Sequence, residues 1–226
     1  RASIENPKLY ADVNVRGSLN ILECARQFSV EKVIMASTSS IYGNNKKVPF
    51  SEDDPVNEPI SPYAASKRAM ELLSYNYNHL YQLPIACIRF FTVYGPRQRP
   101  DMAIHKFSKM IQDGIELPVF NNGECERDYT YIDDIIQGVL AVAKNFSGFD
   151  IVNLGESQTI STLELIKLIE NNIEKKAVLD LMTAQAGDVD RTFADISKAR
   201  DVYGYSPQFP IEKGLEQFTK WFKTNH

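Results

Sequence analysis

Two short apolar runs constrain this chain more than anything else in it. Lys32-Val33-Ile34-Met35-Ala36 and Pro84-Ile85-Ala86-Cys87-Ile88-Arg89-Phe90-Phe91 are continuous rather than alternating. Strands apolar on both faces suit a parallel sheet covered by helices on each side. A helical pattern over 10–28 leads into the first run, and another separates the two. A helix feeding a buried strand is half of a βα repeat, so the chain reads as α/β. In such sheets ligands bind at the carboxyl ends of the strands. That rule places Thr38-Ser39-Ser40, of the hydroxyl cluster Ser37-Thr38-Ser39-Ser40 after the first run, and Phe91-Thr92, at the end of the second, at one edge of the same crevice.

The helix between the runs opens with Ser61-Pro62-Tyr63-Ala64-Ala65-Ser66-Lys67. Ser61 is a good N-cap and Pro62 suits the first helical position. Tyr63 and Lys67 are then i and i+4, stacked on one face. A free tyrosine titrates near pH 10 and a neighbouring ammonium favours its phenolate, which gives an acid or base usable near neutral pH. The same spacing occurs by chance in many helices, where it means a packed ring beside a solvated amine. Leu72, Leu73, Tyr77 and Leu80 are the expected buried stripe of this helix, which runs to about 81. In the first helical pattern Val13, Leu19, Ile21, Leu22 and Ala25 recur at helical spacing. Gly17 costs about 1 kcal/mol there relative to alanine, and close packing against a neighbour would explain it.

At 226 residues the chain makes one large domain or two small ones. A net charge of −4 with interspersed signs argues against nucleic-acid partners. Cys24, Cys87 and Cys125 are odd in number and widely spaced, which points to reduced thiols in a cytoplasmic protein. No CxxC or HxxxH spacing offers a metal site, no apolar run reaches membrane-spanning length, and no signal peptide is expected. The sequence has no initiating methionine and enters a helical pattern at once. The strand that should precede that helix is missing, so the chain is expected to start in the middle of a domain.

Glu52, Asp53, Asp54 and Glu58 lie in a polar loop over 41–62 and are expected to be solvated. Beyond Gly95 a second region is expected to begin. Pro96-Arg97-Gln98-Arg99-Pro100 follows a strand end; its arginines could clamp a phosphate or carboxylate, or form a solvated turn. Helices are predicted over 102–113, to about 144 after Asp133 and Asp134, from the Ser161-Thr162-Leu163-Glu164 capping box to about 173, after Asp195, and from Pro210 onward. Strands are predicted at 118–120, 150–154 and 177–181, with a turn at Asn121-Asn122-Gly123.

Five stretches occur in a telling order: the hydroxyl cluster with Tyr42-Gly43; the Ser61–Lys67 helix start; Arg89-Phe90-Phe91-Thr92-Val93-Tyr94-Gly95-Pro96; Arg127-Asp128-Tyr129-Thr130-Tyr131-Ile132-Asp133-Asp134; and Gly187-Asp188-Val189-Asp190. Together they resemble the extended short-chain dehydrogenase/reductase family, in its nucleotide-sugar epimerase/dehydratase branch, over essentially the whole chain. The resemblance implies the C-terminal portion of a Rossmann-like doubly wound parallel sheet plus a smaller α/β substrate-binding domain. Residues 1–95 would be the C-terminal half of the NAD-binding domain and 96–226 the nucleotide-sugar region, with about 128–154 returning to the sheet.

Within the branch, the run from Arg89 to Ala103 is similar to the UDP-glucuronate 4-epimerases. Ser39-Ser40 stand where 4,6-dehydratases carry an Asp-Glu pair, and UDP-xylose synthases commonly have Glu at the Ser40 position. Gln185 stands where galactose epimerases have an arginine. The implied activity is NAD-dependent C4 epimerisation of a UDP-sugar, UDP-glucuronate to UDP-galacturonate, through a 4-keto sugar. A UDP-glucose or UDP-N-acetylhexosamine 4-epimerase and a non-catalytic nucleotide-sugar-binding paralogue stay open as alternatives.

By the same resemblance Thr38, Tyr63 and Lys67 are catalytic. Asn14, Ser37, Phe90, Tyr63 and Lys67 lie on the cofactor side. Ser39, Ser40 and Thr92 face the sugar carboxylate, Arg99 and Arg127 the diphosphate or uridine, Asp188 a ribose and Phe120 the uracil. A homodimer through helices flanking the sheet, the Tyr63 helix among them, is implied too. The family's Gly-rich turn does not occur in this sequence. Backbone amides of that turn bind the cofactor diphosphate, so the chain by itself is expected to be truncated, to bind NAD poorly and to turn over slowly or not at all.

Overall fold

The computed structural model describes residues 2–183 and 191–225. Two single-turn helices, α1 (Ala2–Glu5) and α2 (Pro7–Tyr10), run into a π-helical stretch, Ala11–Arg16, and on into α3 (Gly17–Gln27). Strand β1 (Val33–Thr38) ends in a 3₁₀ turn, Ser39–Tyr42, and the long helix α4 (Pro62–Tyr81) leads to β2 (Ile85–Phe90). Then come β3 (Thr92–Tyr94), α5 (Ala103–Asp113), β4 (Leu117–Phe120), β5 (Glu126–Arg127), β6 (Tyr129–Tyr131) and α6 (Ile132–Asn145). The chain closes with β7 (Phe149–Leu154), β8 (Ile160–Ser161), α7 (Thr162–Ile173), β9 (Leu179–Met182), α8 (Ser197–Tyr203) and α9 (Ile211–Asn225).

The three apolar strands form one parallel sheet in the order β1-β2-β7. Alternate residues face opposite sides of a strand, so each side needs its own cover. Val33, Met35, Ile85 and Cys87 pack against Leu22 of α3 and Met70 and Tyr77 of α4. Ala86, Ile88, Val152 and Leu154 pack against Ile135 and Val142 of α6 and Ala199 and Tyr203 of α8. Covering on both faces is the arrangement that continuous apolar runs require.

Smaller strand pairs, β3 with β6, β4 with β9 and antiparallel β5 with β8, stand beside this sheet. With α5, α7 and α9 they surround a second core that includes Tyr94, Ile104, Val119, Ile169, Leu215 and Phe218. Two carboxylates tie the backbone together there. Asp128 accepts from the amides of Glu156, Ser157 and Ala194, at 2.8, 3.1 and 3.1 Å. Asp134 accepts from those of Gln208 and Phe209, at 2.9 and 3.0 Å.

The structure corrects several expectations. Of the stripe proposed for α4, Tyr77 is buried and Leu73 packs on the core, but Leu72 and Leu80 are exposed; the face against the sheet carries Met70, Glu71 and Ser74 instead. In the first helical pattern Leu22 and Ala25 are buried, whereas Val13, inside the π-helical stretch, and Leu19 and Ile21, on α3 itself, are exposed: α3 turns only its Leu22 and Ala25 face to the core. Gly17 meets no neighbour: a methyl there would touch nothing within 4 Å but the Asp12 carbonyl. Asp54 is buried, paired with Lys47 and accepting from the Ser51 amide, and Glu52 accepts from the Asn153 amide, so neither is freely solvated. The last strand forms at Leu179–Met182, slightly later than expected, against β4.

Candidate active site

At the carboxyl end of β1 the backbone turns sharply. The Thr38 hydroxyl accepts from the Ser40 amide and donates to the Ser40 hydroxyl, both at 3.2 Å, and so caps the 39–42 turn. Gly43 leaves that turn at φ 57°, and a Cβ on it would lie 2.6 Å from the Glu58 carbonyl, so only glycine lets the loop return beside it.

Helix α4 packs against β1 and this turn. Its start is set as the sequence predicts: the Ser61 hydroxyl accepts from the Ala64 amide at 3.1 Å, and Pro62 occupies the first turn. Asn14, on the π-helical stretch, donates to the Ser66 hydroxyl at 3.0 Å, which donates to the Tyr63 carbonyl at 2.8 Å. The Tyr63 ring stands half-buried, edge-on to Tyr10 with centroids 6.0 Å apart. One turn on, Lys67 Nζ donates to the Ala36 carbonyl at 2.9 Å. Burial pushes the Lys67 amine below its ordinary value, and no carboxylate pairs with it among the described residues.

An ammonium has three donors, so two remain for a bound hydroxyl pair. These residues fit the nicotinamide-ribose half of NAD. A Gly-rich turn for its diphosphate is not part of the 226-residue sequence.

The other expected site residues are more scattered. Ser37 is buried and its hydroxyl donates to Glu71 Oε1 at 2.6 Å, so it is committed to the α4 interface rather than offered to the crevice. Phe90 packs on the α6 and α8 side of the sheet. Ser39 is buried in the turn and Ser40 is bonded to Thr38. Thr92, half-buried, takes the Asp128 carbonyl as acceptor for its amide at 3.0 Å. Arg99 is exposed and pairs with Asp101 at 3.0 Å. Arg127 ends β5 and Phe120 ends β4. Asp188 and Gln185 lie outside the described residues.

Beneath the crevice lies a polar cluster that sequence reasoning missed. Arg89, at 1% exposure, meets Glu71 in a bidentate pair, Nε to Oε1 at 2.9 Å and Nη2 to Oε2 at 3.0 Å. Its Nη1 donates to the Tyr42 hydroxyl at 2.9 Å, and that hydroxyl donates to Asn153 Oδ1 at 2.7 Å. Burial alone would raise the Glu71 carboxyl, but Arg89, Ser37 and Arg68 outweigh it and hold it below the usual range. Burial pushes the Tyr42 phenol up to about 12, despite the guanidinium beside it. The missed signal was a charged residue inside an otherwise apolar strand, which demands a buried partner.

A family model described as GDP-mannose 4,6 dehydratase matches residues 1–218. UDP-glucuronate 4-epimerase of Thermodesulfobacterium geofontis is 46% identical over 226 residues, all of this chain and 69% of that protein. Among solved structures, the UDP-glucuronic acid 4-epimerase of Bacillus cereus, in complex with UDP-glucuronic acid and NAD, has a TM-score of 0.88 at 36% identity; the match covers 94% of this chain and 68% of that one. The UDP-glucose 4-epimerase of Thermotoga maritima, with UDP-glucose, has a TM-score of 0.92 at 31% identity, over 99% of this chain and 73% of that one.

Proposed function

The chain belongs to the GDP-mannose 4,6-dehydratase family, and from that premise we propose that it serves as an NAD-dependent nucleotide-sugar 4-epimerase acting on UDP-glucuronate. The observation that carries this reading is the placement of Tyr63 and Lys67 one turn apart on a Ser61-capped helix, with the lysine held at the carboxyl end of β1 by the Ala36 carbonyl. Two relatives named for that substrate support it, at 46% and 36% identity. Ser39-Ser40, where dehydratases of the branch carry an Asp-Glu pair, argues against elimination of water despite the family's name.

The roles follow from chemistry and position. When bound, NAD⁺ would supply reversible hydride acceptance at C4 of the sugar, with the 4-keto sugar turning over in the pocket so that hydride comes back to the opposite face. Tyr63 takes up the O4 proton as the C–H bond breaks and gives it back on reduction. Thr38 hydrogen-bonds O4 at the turn. Lys67 bonds the nicotinamide ribose with its two remaining donors, and Asn14 and Ser66 hold the tyrosine backbone in place. Ser39, Ser40 and Thr92 hold the sugar carboxylate with neutral donors, which bind it without drawing off carbon dioxide. Arg99 and Arg127 neutralise the diphosphate, Phe120 lines the uracil site and Asp188 takes a ribose hydroxyl.

Because the sequence lacks a Gly-rich diphosphate cradle, the 226 residues by themselves are expected to bind NAD weakly and turn over slowly or not at all. Isothermal titration of this chain with NAD⁺ checks that; micromolar affinity would refute it. Exposed apolar side chains on two neighbouring helices, Leu19 and Ile21 on α3 and Leu72 and Leu80 on α4, support a homodimer through these faces.

The substrate is tested by assaying UDP-glucuronate against UDP-glucose and UDP-N-acetylglucosamine, with NAD⁺ and the full-length protein. Preference for UDP-glucose would favour the second reading, which the 0.92 TM-score to the Thermotoga maritima enzyme supports. Binding without turnover would make the protein a non-catalytic paralogue. Tyr63→Phe is expected to lower kcat by about 10²- to 10⁴-fold while UDP affinity holds. Retained turnover would remove Tyr63 from its role.

A further inference from the structure

Ser37, Arg89 and Asn153 stand level across β1, β2 and β7, one residue short of each strand's carboxyl edge. Residues in register on parallel strands share a face, and this one is the face that α3 and α4 cover. An apolar row would be the simple choice there. Instead the row is polar and nearly all its donors and acceptors are matched; its bonds reach α4, Tyr42 of the 39–42 turn, the 50–52 loop and the Asp195 carbonyl.

Glu71 receives Ser37 and both arms of Arg89, and Arg68 Nη1 adds a fourth bond at 3.0 Å. Tyr42 lies between Arg89 and Asn153, and Asn153 in turn donates to the Phe50 carbonyl at 2.9 Å. Successive residues of β1 are therefore joined to successive turns of α4: Lys67 to the Ala36 carbonyl, and Glu71 to the Ser37 hydroxyl. Such a double bond between strand and helix fixes both the rotation and the height of α4.

Stability does not account for this arrangement. A buried ion pair is often replaced by apolar residues of similar volume at no loss, because desolvation offsets the attraction. What an arginine fork supplies, and an apolar contact does not, is direction. We propose that Arg89 is the centre of a positioning clamp which, through Glu71 and Tyr42, sets the separation between the Tyr63 helix and the 39–42 hydroxyl turn. The inference rests on the function proposed above. Arg89, Glu71 and Tyr42 act through other residues and are positioning groups, not catalytic ones.

Two variants of the full-length protein test it. Tyr42→Phe removes one hydroxyl and leaves the ring stacked on Phe50, at 4.8 Å between centroids. The pair Glu71→Met with Arg89→Met replaces the ion pair by apolar groups. Tyr42→Phe is expected to lower kcat by about 10- to 100-fold. KM for UDP-glucuronate should move less than about 3-fold, while amide exchange at 39–42 and 63–68 speeds up. The double methionine variant is expected to keep its melting temperature within a few degrees and still show the low kcat.

A double methionine variant as active as the parent overturns the clamp, and so does wild-type kcat in Tyr42→Phe. If the double variant does not fold, Tyr42→Phe decides. If the parent turns over none of the UDP-sugars, the functional reading falls and amide exchange alone judges the clamp. Faster exchange at both segments in Tyr42→Phe then supports it, and unchanged exchange overturns it.

Discussion

Glu156 shows what a single side chain adds at the carboxyl end of β7. Burial, with Asp134 and Asp128 close by, pushes its carboxyl from 4.5 up to about 8. Between those values the folded protein holds a proton that the unfolded chain has released, so stability falls as pH rises. The contribution is whole below the unfolded value and is lost as pH passes through about 8. Glu156→Gln keeps the shape and removes the charge. It is expected to raise the melting temperature near pH 9 and leave it unchanged near pH 4, which thermal denaturation at the two pH values would check. Residue-scale chemistry was only partly legible beforehand. Ser61, Tyr63 and Lys67 announce themselves through local rules of capping and spacing. Arg68 meets Glu71 at helical i,i+3 spacing, but the buried partners of that carboxylate, Arg89 and Ser37, lie 18 and 34 residues away in the chain, and no local rule connects them.

Helices α3, α4 and α9 show how far local pattern decides an element. Ser61 and the Ser161 capping box start α4 and α7 where the sequence places them. The face each helix buries was harder to read. The apolar residues from Val13 to Ala25 read as one helical pattern, but six residues of π-helix between Tyr10 and Gly17 interrupt the α-helical period, and only Leu22 and Ala25 of them are buried. On α4, polar Glu71 and Ser74 face inward because a buried arginine waits for one of them, and apolar Leu72 and Leu80 are left outside. If those side chains meet a second copy, Leu80→Glu is expected to convert a dimer to monomer in light scattering without lowering the melting temperature of the monomer. On α9 the contact is tight rather than open. A methyl on Gly214 would lie 1.9 Å from the Tyr94 hydroxyl. Gly214→Ala is therefore expected to cost about 1–3 kcal/mol in urea titration through overpacking.

At the scale of the whole molecule, the parallel sheet and its two helical covers were foreseeable from two apolar runs, whereas the arrangement of the small strand pairs was not. β5 and β8 are two residues each, and strands that short carry almost no period. The order β1-β2-β7 has a consequence for anyone who would divide this protein. The polypeptide leaves the sheet at Phe90 and rejoins it at Phe149, beside the same strand it left. A gene split at Gly95 would give one product with Ile88 and Ala86 wetted, and another whose β7 has no neighbour to zip onto. Neither piece is expected to hold its shape alone, and circular dichroism should recover native signal only when the two are refolded together.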